Sequence, residues 1–177
     1  PQDSQLLGTY VNLLVPKKLL ETIVKFKPKN KYELKCAIKI YNKNIEESDK
    51  LYGNISEWDT SLIKDMSGLF EWMDNFNGDI SKWNTSNVTN MNCMFHGASK
   101  FNQSLEKWDI SNVVTMKQMF SNATSFNQPL NEWNTNSVTT MKYMFKGATS
   151  FNHPLDKWDT SNVTDMRHMF NSAKVSN

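Results

Sequence analysis

Residues 83–107 read WNTSNVTNMNCMFHGASKFNQSLEK, and residues 108–132 read WDISNVVTMKQMFSNATSFNQPLNE. Laid one over the other, they match Trp to Trp, Val to Val, and Met to Met and Phe to Phe twice each. The same step runs outward in both directions. Trp58, Trp83, Trp108, Trp133 and Trp158 are each 25 residues apart, as are Met66, Met91, Met116, Met141 and Met166. A second Met column is Met94, Met119, Met144 and Met169, with Leu69 in the first repeat. Phe70, Phe95, Phe120, Phe145 and Phe170 form one Phe column; Phe76, Phe101, Phe126 and Phe151 form another, each followed by Asn. No insertion interrupts the period. A unit this short cannot bury its own apolar face, so neighbours must stack in a row.

Two segments of each repeat have different periodicity. Val88, Met91, Met94, Phe95 and Ala98 fall at steps of three and four, which predicts a short helix. Ser86, Ser111 and Ser161 lie just upstream, where a hydroxyl caps free N–H groups. Gly97, Asn122 and Gly147 stand where such a helix would stop in a left-handed residue. Leu105, Trp108 and Ile110 match L-x-x-L-x-L, the strand signature of leucine-rich repeats. The expected fold class is therefore an α/β repeat: a leucine-rich-repeat-like right-handed solenoid with one short parallel strand and one short helix per repeat, and a helical N-terminal cap.

The expected domains are a helical cap region over 1–50 and a solenoid of about five turns over 51–177. Asn30 with Glu33 approximates a capping box, and Leu34, Ala37, Ile38 and Tyr41 mark a helical face. A further helical element is expected over 1–28, with Pro16 at a first helical position and Leu19, Leu20, Ile23 and Val24 on its apolar side. The fifth repeat stops after its predicted helix with nothing that reads as a cap. Weak self-association through that uncapped C-terminal end is expected.

The repeated side chains read first as core. A tryptophan buries about 150–250 Å², and the Met columns are adaptable filling. The Asn after each second-column Phe resembles the ladder of stacked folds, in which a buried amide satisfies the backbone of the next turn.

Chemistry is scarce. With 20 basic and 18 acidic residues interspersed, the charge of +2 offers no case for nucleic acid or an anionic membrane. Cys36 and Cys93 have neither disulfide-framework nor metal-ligand spacing, and read as structural thiols. His96, His153 and His168 lie in three different repeat columns and pair with no fixed carboxylate or cysteine. No phosphate loop, G-x-S-x-G or H-E-x-x-H occurs. The longest apolar stretch, Leu6–Val15, is broken by Gly8, Thr9 and Asn12 and is too short to span a bilayer. These readings lead to no enzyme activity, no catalytic or metal residues, no cofactor, no membrane partner and an intracellular location.

The run Ile80-Ser-Lys-Trp83-Asn-Thr-Ser-Asn-Val88-Thr-Asn-Met91-Asn-Cys-Met94-Phe95 resembles the BspA-like leucine-rich repeat, the mycoplasma-lipoprotein repeat of unknown function. The resemblance covers about 30–177. It implies adhesion or protein binding and carries no catalytic residues. Such repeats occur in bacterial surface proteins, protists, algae and giant DNA viruses. Asn- and Lys-rich usage without an export signal points to a giant virus, hence host cytoplasm or virion. Residues 15–28 also faintly resemble the opening helix of an F-box, which would recruit a host ubiquitin ligase.

What remains is surface. The residues on either side of each Trp are expected to point off the core. They form two columns: Glu57, Lys82, Lys107, Glu132 and Lys157, then Asp59, Asn84, Asp109, Asn134 and Asp159. Opposite charges on neighbouring turns could serve only to stabilise the stack. The functional expectation is a protein-interaction scaffold that binds its partner on this ribbon. The alternatives are a packing subunit of a virion or surface layer, an F-box-type adaptor, and a bacterial surface adhesin.

Overall fold

Asn30 starts the first helix: its side-chain oxygen accepts from the Glu33 N–H at 3.0 Å, and Glu33 accepts from the Lys29 N–H at 2.9 Å. This exchange satisfies donors that a helix start leaves free. The helix, α1, spans Lys31–Lys43 and buries Leu34, Ala37 and Ile38. Asn44 closes α1 by donating to the Ile40 carbonyl and opens α2, Ile45–Tyr52, by accepting from the Glu47 N–H. Gly53, at φ 71°, stops α2, and a 3₁₀ turn at Ile55–Glu57 leads into the repeats. The structure, a computed structural model, describes residues 25–173. Most of the helical element expected at 1–28 lies outside those residues, and 25–28 are not helical.

The expected leucine-rich-repeat-like right-handed solenoid, with a strand and a helix in every repeat, is overturned. Among the described residues the two α-helices both precede the array, and no strand is present. Each repeat is instead a coil of turns laid on the next coil. Parallel contact is limited to isolated bridges joining Asp65, Asn90, Thr115, Thr140 and Asp165 in sequence.

Backbone bonding explains the difference. Met91, Cys93, Phe95 and Gly97 donate their N–H groups to the following coil, at Thr115, Lys117, Met119 and Ser121, over 2.8–3.0 Å. The alternate residues Met94, His96 and Ala98 donate back to Met91, Cys93 and Phe95 in their own coil, over 3.0–3.3 Å. Buried backbone groups are thus paired, half across the stack and half within it, so neither a helix nor a strand ladder can form. Successive three-residue turns gather Met91, Met94, Phe95 and Ala98 on the inside, which is why their spacing imitates a helical stripe.

The zigzag needs left-handed residues at two places per coil. Cys93, Gln118, Tyr143 and His168 have φ of 55–58°, in register with Gly68 at 59°. Gly97, Asn122 and Gly147 have φ of 71°, 57° and 69°. The left-handed position expected at these three is present, but inside the run of turns and not at a helix end. A Cβ on Gly97 would come within 2.3 Å of the Trp72 ring, so close packing also demands glycine there.

The predicted strand segment is likewise a turn: the Trp108 N–H donates to the Leu105 carbonyl at 3.0 Å. In this half of the repeat, side chains join the coils. The buried indole N–H groups of Trp83, Trp108, Trp133 and Trp158 donate to the carbonyls of Ile55, Ile80, Leu105 and Leu130 over 2.8–3.1 Å. Asn102, Asn127 and Asn152 donate their N–H groups to the side-chain oxygens of Asn77, Asn102 and Asn127, each at 2.9 Å. This asparagine ladder runs along the exposed surface and not through a buried interior.

Between the two halves lies an aromatic core. Phe70, Phe95, Phe120 and Phe145 stack from coil to coil with centroids 5.2–5.5 Å apart. Each also lies 4.1–4.2 Å from the second-column Phe of its own coil. Burying each such ring contributes about 1.5–3 kcal/mol. At the near end Phe26 and Tyr41 pack against Trp58. At the far end of the described residues Met166 and Phe170 are 42% and 37% exposed, whereas Met141 and Phe145 one coil earlier are fully buried.

Candidate functional site

The local fold sets the ribbon of candidate residues. Each Trp is pinned inward by its indole bond, so its two chain neighbours turn outward. Glu57, Lys82, Lys107, Glu132 and Lys157 are all exposed; in the second column Asn84, Asp109, Asn134 and Asp159 are exposed and Asp59 is half-buried. The structure brings the two columns together as one continuous surface, five residues long on each side of the Trp line.

Within that surface the columns behave differently. In the first, Glu57 lies between Lys82 at 2.6 Å and Lys25 at 3.2 Å, and Lys157 pairs with Glu132. Hydrogen bonds from Lys82 and Lys25 hold the Glu57 carboxyl below its ordinary range, and Glu57 pushes Lys82 up. Among the described residues Lys107 has no ion pair. In the second column each side-chain oxygen folds back to accept the N–H two residues on. Asp59, Asn84, Asp109, Asn134 and Asp159 hold Ser61, Ser86, Ser111, Asn136 and Ser161 in this way, over 2.8–3.2 Å. The bond from Lys27, then that from Ser61, brings Asp59 down to about 2. Bonds from Ser111 and Ser161 lower Asp109 and Asp159. The second column therefore shapes the turn, and the first presents the freer charges.

One grouping escaped the sequence reading. Glu71, Cys93 and His96 converge, although the histidines were expected to meet no fixed carboxylate or cysteine. Glu71 and His96 occupy the same repeat position one period apart, and Cys93-x-x-His96 is a short-range spacing. Comparing each histidine with the residue 25 positions before it would have revealed the pair.

No helix among the described residues is long and apolar enough to cross a membrane. Comparison with curated proteins found no match, and neither did comparison with solved structures. A family described as Mycoplasma protein of unknown function, DUF285, matches residues 38–137 and again 105–177. Those stretches take in the coils, all of α2 and the end of α1, and the protein belongs to that family.

Proposed function

We propose that the protein is a non-catalytic scaffold that binds a protein partner along the ribbon flanking the tryptophans. The observation that carries this reading is the regular, exposed first column on a backbone fixed at every coil. Side chains held at set spacing lose little freedom on binding, and stacked repeats commonly use such extended faces. Resemblance to the BspA-like form of the repeat supports protein binding in particular. Asn- and Lys-rich composition favours a giant-virus source and an intracellular partner. The test is a Lys82→Glu/Lys107→Glu double variant, assayed against the protein that cross-links to the native chain. At least tenfold weaker binding with unchanged far-ultraviolet circular dichroism is expected. Unchanged binding by the folded variant would sink the reading.

A second reading, weak self-association through the last described coil, is favoured by exposed Met166 and Phe170. Light scattering at rising concentration should show a growing mass that Phe170→Glu suppresses; a strict monomer throughout refutes it.

A further inference from the structure

We propose that Glu71, Cys93 and His96 form a binding site for a divalent transition-metal ion of the zinc class, with one position open to solvent. The carboxylate oxygen, thiol sulfur and imidazole nitrogen that would ligate all lie within 4.8 Å of one another. Bonds of about 2.0–2.3 Å in a tetrahedral zinc site place ligand atoms roughly 3.3–3.8 Å apart. Side-chain rotation of about an ångström closes the remaining gap, and Glu71, the exposed member, is free to make it.

The backbone holds the donors in place. Glu71 comes from one coil and Cys93 and His96 from the next. The two coils are bonded on both sides of Glu71: the Phe70 N–H donates to the Met94 carbonyl at 2.9 Å, and the Trp72 N–H to the His96 carbonyl at 2.7 Å. A turn bond from the His96 N–H to the Cys93 carbonyl, at 3.1 Å, keeps those two side chains adjacent. Trp72 packs on the imidazole with ring centroids 4.5 Å apart.

His96 supplies a separate indication. Its Nδ1 is buried and has no hydrogen-bond partner among the described residues, with Glu71 Oε1 lying 3.5 Å away. A buried polar atom in that condition is costly, and a metal ion would satisfy it. Sulfur, nitrogen and oxygen donors together suit zinc or cobalt and do not suit magnesium or calcium. Thiolate and carboxylate would also neutralise a 2+ ion. Metal binding would displace the proton of the Cys93 thiol. Glu71 and Cys93 line an open depression with Lys31, Lys35 and Asn92, which leaves room for a water or an incoming ligand atom at the fourth position. The set is not a by-product of the repeat. The three later coils carry Gln118 with Ser121, Tyr143 with Lys146 and His168 with Asn171 at the positions of Cys93 and His96.

Cobalt(II) added to tag-free protein provides the probe, through the near-ultraviolet absorption of a thiolate–cobalt bond. A saturable band that zinc abolishes is expected. Cys93→Ser should remove it, Glu71→Gln and His96→Gln should weaken binding at least tenfold, and Cys36→Ser should leave it intact. No band in folded protein, a band that survives Cys93→Ser, or one lost in Cys36→Ser would each overturn the site. Should His96→Gln unfold, zinc protection of Cys93 from a thiol reagent in the unaltered protein decides the matter: slowed modification supports the site, and an unchanged rate refutes it. None of these readouts depends on the partner ribbon.

Discussion

The two halves of each coil reach the same neighbour by different means. From Thr89 to Gly97 the connection is made by the main chain, with donors sent alternately across the stack and back into it. From Phe101 to Asp109 it is made by indole, amide and hydroxyl groups of particular side chains. Outside its inward Met and Phe columns the first half therefore tolerates varied side chains, as the succession Gly68, Cys93, Gln118, Tyr143 and His168 shows. The second half must keep the side chains that make the bonds, and Trp and Asn recur there without exception in the coils described.

Proline is the strongest way to break this contrast. Gln118 donates its N–H to Lys142 at 2.9 Å and has φ 58°, so Gln118→Pro loses the bond and cannot hold the backbone. A loss of about 3 kcal/mol or more is expected in urea denaturation. Ser104→Pro, in the other half, should stay within about 0.5 kcal/mol of the parent. Its column already contains Pro129 and Pro154. Equal damage from both substitutions would erase the distinction.

Trp108→Phe tests the side-chain half. The ring is kept in outline, but the Ile80 carbonyl loses the indole donor 3.1 Å away. That carbonyl keeps the Trp83 N–H at 3.1 Å, so the loss is one hydrogen bond, about 0.5–1.5 kcal/mol, read again from the denaturation midpoint. A change too small to measure would mean that neither the indole bond nor the volume of its second ring holds the coil.

The smallest effect is acid sensitivity. Backbone bonds do not titrate, but the Lys27–Asp59 tie, at 2.8 Å, does. The Asp59 carboxyl is lowered to about 2 in the folded chain, so its contribution is present above the ordinary carboxylate range and is lost as pH falls from about 4 towards 2. Asp59→Asn should flatten the stability–pH curve in that window and lower it by a constant amount above about pH 5. An identical slope in both proteins would rule out this tie as the source.

The period, the residues that face inward and the exposed ribbon were legible in the sequence because each recurs every 25 positions. The path of the chain was not. Met91, Met94, Phe95 and Ala98 present one apolar side in a helix and in a train of three-residue turns alike, and periodicity cannot separate them. Leu105, Trp108 and Ile110 match a strand pattern, yet what holds Trp108 is an indole bond to the preceding coil. The left-handed Cys93, Gln118 and Tyr143 carry no glycine to announce them. Glu71, Cys93 and His96 stayed hidden because their proximity appears only once coils are superposed.

The ties between coils have a kinetic consequence. Their side-chain bonds join residues from 23 apart, at Thr115 and Asn92, to 28 apart, at each buried indole. No coil waits on a residue far along the chain, so loop closure requires much the same modest search at every step. Structure can then spread like a zip from the helices that cover the first coil, each finished layer serving as the template for the one after it.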